Sequence, residues 1–301
     1  MNGMSKLNRI KPLTNYMFNL LFVILSLISI LPVVLVFMAS ISSETSIAKY
    51  GYQFWPEEFS FVAYSFLWNE RASIFQALFV SVCVTVVGTA LGVLLTTTMG
   101  YVLSRLNFRG NGFYTWVVFI PMIFNGGMAA NYVVVSKFLH LNNTIWALIL
   151  PLCVSSFNVI VCKTFFRTTI PDSIIESVKI DGGGQLTIFL RIVMPISKPL
   201  IATIALFLSF GYWNDWFQSS LYISNKALLS LQAMLNNIQK NIEYIANNPS
   251  AGVSLQQYKN SMPTEPVRMA IAIVIVVPIA CVYPFFQRFF IKGLTIGAIK
   301  G

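Results

Sequence analysis

Residues 74–103 read IFQALFVSVCVTVVGTALGVLLTTTMGYVL, thirty residues without a charge, bounded by Arg71 and Arg105. About 20 apolar residues in a helix already cross the ~30 Å hydrocarbon core of a bilayer. Inside hydrocarbon a backbone N–H or C=O finds no water, so such a stretch crosses as a helix that closes its own hydrogen bonds. Five further stretches have this character: residues 16–40, 113–135, 144–165, 200–222 and 269–287. The fifth span in chain order, 200–222, holds a single acid, Asp215. The expected fold is all-α, a polytopic membrane protein with six transmembrane helices.

Composition agrees. Hydrophobic residues make up 56% of the 301 and charged residues 10%, where a soluble domain carries about 25% charge. The long apolar runs and 14% aromatics oppose disorder. The net charge of +10 would suggest nucleic acid in a soluble protein. Here the cations sit in the gaps between apolar runs, so they read as markers of cytoplasmic loops, and no nucleic-acid partner is expected. With the N-terminus inside, 13 of the 20 basic residues fall on the cytoplasmic side and six of the ten acids on the other. Both termini are thus expected in the cytoplasm. The first run is too long for a signal-peptide core and reads as a retained span.

Cys83, Cys153, Cys162 and Cys281 lie inside apolar runs without CxxC spacing and are expected as free, buried thiols. His140 is the only histidine, which argues against a His-based metal site or a Ser-His-Asp triad; no catalytic residue and no metal site are expected. The chain divides by pattern into residues 1–70 (N-terminus, first helix and outer loop), a core over 71–290 and a cytoplasmic tail over 291–301. Two outer loops are sizeable, 41–73 and 223–267. Residues 228–245 place Leu231, Met234, Leu235, Ile238 and Ile242 at helical spacing, an amphipathic helix that either covers a pore mouth or docks a partner.

The cytoplasmic loop between spans four and five, residues 168–196, is the most informative. Pro171 suits a first helical position, with Thr169 or Ile170 as cap. Asp172 and Glu176 near that start complement the helix dipole. Ile174, Ile175 and Val178 form one apolar face, and Gly182–Gly184 end the helix. A second short helix follows over 185–193, ending near Met194-Pro195. The apolar face either docks a partner or lies on the membrane interface.

These residues resemble a known family. Glu176-Ser177-Val178, then Asp181-Gly182, then nine residues, then Ile192-Val193-Met194-Pro195 is similar to the EAA loop of ABC importer permease subunits: Glu-Ala-Ala, three positions, Gly, nine positions, Ile, one position, Leu-Pro. Glu176, Gly182, Ile192 and Pro195 match; Ser177, Val178 and Met194 stand where the pattern has Ala, Ala and Leu. Asn125-Gly126-Gly127, Trp146 through Pro151 and the tail from Tyr283 to Gly301 look like the carbohydrate-uptake branch, the maltose-type inner permeases, and within it the importers of complex oligosaccharides in Gram-positive bacteria.

The resemblance implies a bacterial cytoplasmic-membrane subunit whose loop helix couples to an ATPase through Ile174, Ile175, Glu176, Ser177, Val178, Asp181, Gly182, Ile192 and Pro195. It implies a second homologous permease, two ATP-binding subunits, an extracellular solute-binding protein and an oligosaccharide cargo. The chain has no GxxxxGK[ST] segment, so ATP and Mg are expected on the partner ATPase and no cofactor here. For the path, Asn214 and Asp215 could bond sugar hydroxyls while Trp213 and Trp216 offer apolar faces; equally, Asp215 caps a helix and the tryptophans form an interfacial belt. Asn125-Gly126-Gly127 interrupts span three, which makes Asn125 and Asn131 further candidates for the path. A peptide or amino-acid importer and a secondary transporter are the alternatives; an ion channel would need a filter-like loop or rings of charge, and a membrane enzyme a catalytic constellation.

Overall fold

The computed structural model describes residues 12–247 and 264–298. Residues 1–11, the second half of the long loop with Pro249, Lys259 and Pro263, and the last three residues of the expected tail lie outside the described residues. Fourteen helices are used below: α1 (Pro12–Ser40), α2 (Glu44–Tyr50), α3 (Val62–Asn69), α4 (Arg71–Ser104), α5 (Asn111–Ile123), α6 (Gly127–Val133), α7 (Trp146–Cys153), α8 (Ser156–Thr169), α9 (Asp172–Ile180), α10 (Gln185–Ile196), α11 (Lys198–Asn214), α12 (Phe217–Tyr222), α13 (Leu231–Asn247) and α14 (Thr264–Ala298). The described residues contain no strand, only a lone bridge between Ser42 and Phe59.

The chain divides into two units. One is built from the residues up to Glu70 with Asn241–Val277, the other from Arg71–Lys240 with the segment from Pro278 onward. In the first, Glu44 Oε2 accepts from the Glu265 N–H at 3.0 Å, the Tyr52 hydroxyl donates to Glu265 at 2.7 Å, and Arg268 pairs with Glu265 and Glu243 at 3.1 and 3.0 Å. These bonds tie α2 and its following loop to the start of α14.

The second unit is organised around α4, which packs along α8 and α11. Small residues make that approach possible. A Cβ on Gly88 would stand 2.5 Å from the Tyr212 ring of α11, and one on Gly100 would overlap Cys162 of α8. Glycine at these points lets helix backbones close where no larger residue fits. The core that results joins Val84 and Tyr101 of α4 to Cys162 and Phe166 of α8, Ile188 and Val193 of α10, and Ile204 and Tyr212 of α11. All four cysteines are unpaired, but only Cys153 and Cys162 are buried as expected; Cys83 is half-buried and Cys281 exposed, on helix faces that the chain itself does not cover.

Three expected spans are unbroken: α1, α4 and residues Thr264–Pro284 of α14 are each long and apolar enough to cross a membrane. The other three are broken: span three at the Asn125-Gly126-Gly127 interruption that the sequence predicts, spans four and five at breaks that it does not. Span three splits into α5 and α6, because Gly127 takes φ +79° and its N–H bonds back to Asn125 Oδ1 at 2.9 Å. Span four bends by 47° between α7 and α8, where Val154 and Ser155 adopt extended angles. Span five ends its first helix at Asn214 and resumes at Phe217, while α10 meets α11 at 83°. At the other end of the chain, α14 runs past residue 290 to Ala298.

The expected amphipathic helix is α13. Its first turn is pinned rather than free: Ser81 Oγ of α4 accepts from the Leu231 N–H at 2.8 Å, and Ser219 Oγ accepts from the Ser230 N–H at 3.0 Å. Leu231, Ala233 and Leu235 are buried.

Candidate functional site

The loop between α8 and α11 assembles from its ends. Phe166 and Ile170 anchor the last turn of α8 in the core. Pro171 then takes extended angles (φ −62°, ψ 144°) at the cap position itself, and Asp172 opens α9. This corrects the expected start by one residue. Proline lacks the N–H that a helix start leaves unpaired, so either placement suits its chemistry.

The apolar face of α9 does not stand open. Ile175 is only 4% exposed and joins the core with Tyr101, Phe166 and Phe189, and Val178 packs on the same cluster. The sequence reading left a partner or the membrane interface to cover this face; at Ile175 and Val178 the chain's own core covers it, while Ile174 stays exposed. What α9 presents outward is Ser173, Ile174, Glu176, Ser177 and Ile180, the last 85% exposed.

The helix ends in a Schellman turn. Gly182 adopts φ +83°, its N–H bonds Lys179 O at 3.0 Å, and the Gly183 N–H bonds Val178 O at 2.8 Å. A Cβ at Gly182 would meet nothing within 4 Å, whereas one at Gly183 would come within 2.6 Å of Val178. In α10, Ile192 is half-buried and Pro195 exposed, and residues 189–193 widen into one π-helical turn before that proline.

One residue of this site escaped the sequence reading except as a loop cation. Arg105, at the end of α4, donates from Nη1 to Asp172 Oδ1, from Nη2 to the Phe166 carbonyl and from Nε to Ser104 Oγ, each at 2.9 Å. Its guanidinium lies 5.3 Å from the Tyr101 ring. Asp172 is 67 positions away in sequence, and no spacing rule connects them.

The expected path residues scatter. Asp215 caps α12: its carboxylate accepts from the Gln218 N–H at 3.2 Å, which is the helix-capping alternative. Asn214 turns back to donate to Phe210 O at 3.0 Å. Trp216 lies under the Lys240 ammonium at 5.2 Å, a cation–π pair. Trp213 is buried and lines a mostly apolar cavity of about 640 Å³ with Val82, Val86, Phe210 and Ile279, to which Thr85, Thr89, Ser209 and Tyr283 add hydroxyls. Asn125 is engaged with Gly127. Asn131 lines a smaller cavity, about 270 Å³ in volume, with the side chains of Gln218 and Tyr222. Tyr222 stacks on Tyr132 at 6.0 Å and 7°. Sequence reasoning missed Gln218, Tyr132 and Tyr222, because only the break between α11 and α12 brings that segment beside α6.

No protein-family model matches the chain. It is 38% identical over 275 residues to Protein LplC of Bacillus subtilis (strain 168), covering 91% of this chain and 90% of that one. It is 37% identical over 294 residues to the polygalacturonan/rhamnogalacturonan transport system permease protein YtcP of the same organism, covering 98% and 99%. Among solved structures, a chain from the crystal structure of a bacterial ABC transporter involved in the import of the acidic polysaccharide alginate shares the fold, with a TM-score of 0.77 at 23% identity over 94% of this chain and 100% of that one. With a shared fold and relatives matched nearly end to end, this chain belongs to the carbohydrate-transport branch of the ABC importer permeases, multi-pass membrane proteins.

Proposed function

We propose that this chain forms half of a translocation pathway for oligosaccharides and converts the movement of a separate ATPase into a change in that pathway. It works without catalytic residues of its own; ATP and Mg bind the partner. It sits in the bacterial cytoplasmic membrane with both termini inside, beside a second homologous permease, over two ATP-binding subunits and beneath an extracellular solute-binding protein. The observation that carries this reading is α9. It is a two-and-a-half-turn helix rooted in the core by Ile175, closed by a Schellman turn at Gly182, and showing Ser173, Glu176, Ser177 and Ile180 to a neighbour.

The mechanism is a lever. Closure of the nucleotide-bound ATPase pair carries α9 with it, and α9 passes that rigid-body motion to α8 on one side and through α10 to α11 on the other. The two states of the pathway differ by only a few kcal/mol, so that nucleotide and loaded binding protein can invert their populations. Cargo contact is assigned to the cavity of Asn131, Gln218 and Tyr222, where two side-chain amides and a phenol suit sugar hydroxyls.

The test is reconstitution. The complete transporter in proteoliposomes, given its binding protein, is expected to take up oligosaccharides only while ATP is hydrolysed. Galacturonate-containing oligosaccharides form the first arm, since YtcP is named for such polymers; neutral oligosaccharides form the second and peptides the third. A cysteine at Ser177 should crosslink to the ATPase subunit. Full-rate uptake without nucleotide, or no ATPase crosslink from any outward position of α9, refutes the proposal.

A further inference from the structure

A lever needs a fulcrum on the body it moves. Chain continuity ties α9 to α8 directly and to α11 only through α10, and both α8 and α11 pack along α4. Between the inner end of α4 and α9 lies a cavity of about 470 Å³, lined by Val102, Leu106 and Phe108 on one side and Ile175, Glu176 and Lys179 on the other. Along that side the two helices stand apart, and their apolar contact is left to the cluster that Ile175 shares with Tyr101. Arg105 adds a polar link across the gap. Its side chain is 15% exposed and reaches three places at once: Asp172 in the first turn of α9, the Phe166 carbonyl in the last turn of α8, and Ser104 in its own helix.

The placement is electrostatically coherent. A cation is favoured against the carbonyls of a helix C-terminus and a carboxylate at a helix N-terminus, so one guanidinium satisfies the end of α8 and the acid that opens α9 together. The main chain at this point is fixed as well. Asn111 Nδ2 donates to Leu103 O at 2.8 Å and to Arg105 O at 2.9 Å. Thr115 Oγ1 donates to Asn111 Oδ1 at 3.2 Å, and Lys163 Nζ of α8 donates to Thr115 at 2.8 Å. The inner end of α4 is thus a junction holding α5, α8 and α9.

We propose that Arg105 is a positioning residue that carries the displacement of α9 into α4, so that the helix at the centre of the unit moves with the ATPase and not only the two helices joined to α9 by the chain. An exposed ion pair adds little stability, since Asp172 is 62% exposed on its side chain; the value of the contact lies in fixed geometry. The inference rests on the permease reading above.

The experiment uses the complete transporter in proteoliposomes and measures cargo accumulated per ATP hydrolysed. Arg105→Ala is expected to keep ATP hydrolysis near the wild-type rate while that ratio falls roughly tenfold or more, the signature of a broken coupling element rather than of a damaged fold. Asp172→Asn removes one arm and is expected to lower the ratio about threefold, with the double variant no worse than Arg105→Ala alone. Arg105→Lys keeps the charge but not the fork, so it is expected to fall between wild type and Arg105→Ala. An unchanged ratio in Arg105→Ala, or strictly additive losses in the double variant, overturns the proposal. If Arg105→Ala fails to assemble, an unchanged ratio in both Arg105→Lys and Asp172→Asn overturns it. Absence of ATP-driven uptake by the wild-type complex removes the permease reading instead, and this inference with it.

Discussion

The Tyr212 ring occupies the space that a side chain on Gly88 would fill, and its hydroxyl donates to the Ile149 carbonyl at 2.7 Å. One tyrosine thereby sets the spacing of α4 from α11 and ties α11 to α7. Gly88→Ala puts a methyl into ring carbons that have nowhere to retreat, and overpacking of this kind costs about 1–3 kcal/mol. Tyr212→Phe keeps the ring and loses a buried bond, about 1 kcal/mol. Thermal unfolding of the purified protein should rank wild type above Tyr212→Phe, with Gly88→Ala lowest.

Gly182 holds φ +83° with open space around its Cα. Gly182→Ala should therefore cost only backbone strain, about 1–2 kcal/mol, and Gly182→Asn less. Gly182→Pro is a different case, since proline cannot adopt that φ and forfeits the N–H bonded to Lys179 O. It is expected to lower uptake while leaving ATP hydrolysis running, because it breaks the turn that ends the lever. Normal uptake by an assembled Gly182→Pro transporter would contradict the lever.

Burial, first, and then the charge of nearby Glu265 hold the Glu44 carboxyl above the usual carboxylate range, against the lowering effect of the Glu265 N–H bond. The sign follows. A folded-state pKa above the unfolded value means that the protonated form is favoured by folding, so Glu44 helps most at acid pH. That help is lost as pH rises from the unfolded value through the raised folded one. At pH 7 the ionised group opposes folding. Glu44→Gln still accepts from the Glu265 N–H, and should raise the melting temperature at pH 7 relative to wild type. The difference should shrink toward zero as pH falls to about 4. A difference independent of pH would rule this account out.

Asn131 and Gln218 share a cavity, whereas Asp215 spends its carboxylate on a helix start. Asn131→Ala and Gln218→Ala should reduce uptake with little change in melting temperature. Asp215→Ala should do the reverse, costing about 0.5–2 kcal/mol as a lost cap, with uptake per assembled complex near normal. Uptake assays scaled to the amount of intact complex separate the two patterns.

Continuous greasy runs were legible in the sequence because hydrophobicity alone decides them: α1, α4 and the first part of α14 lie where the apolar stretches predict. The helix at Asp172 was legible for a different reason, since a proline before it and glycines after it leave the backbone few options. What escaped was backbone geometry inside apolar stretches. The break at Gly127 was legible from its pair of glycines, but average hydropathy is blind to the extended Val154-Ser155 and to the interruption at Asp215-Trp216. Periodicity likewise shows that Ile174, Ile175 and Val178 share a face but not that the chain itself lies against it. The Arg105–Asp172 pair is a product of the fold, as two polar residues far apart meet only once α4 and α8 have packed.

Ile180 at 85% exposure and Leu186 at 70% remain wet whenever the subunit is alone. A copy made in excess of its companions carries an oily flag at the water's edge, the kind of feature that cellular quality control reads as unfinished assembly. On the proposed function the ATPase subunit is what covers that spot, so co-expressing it is expected to raise the abundance of this protein in a cell.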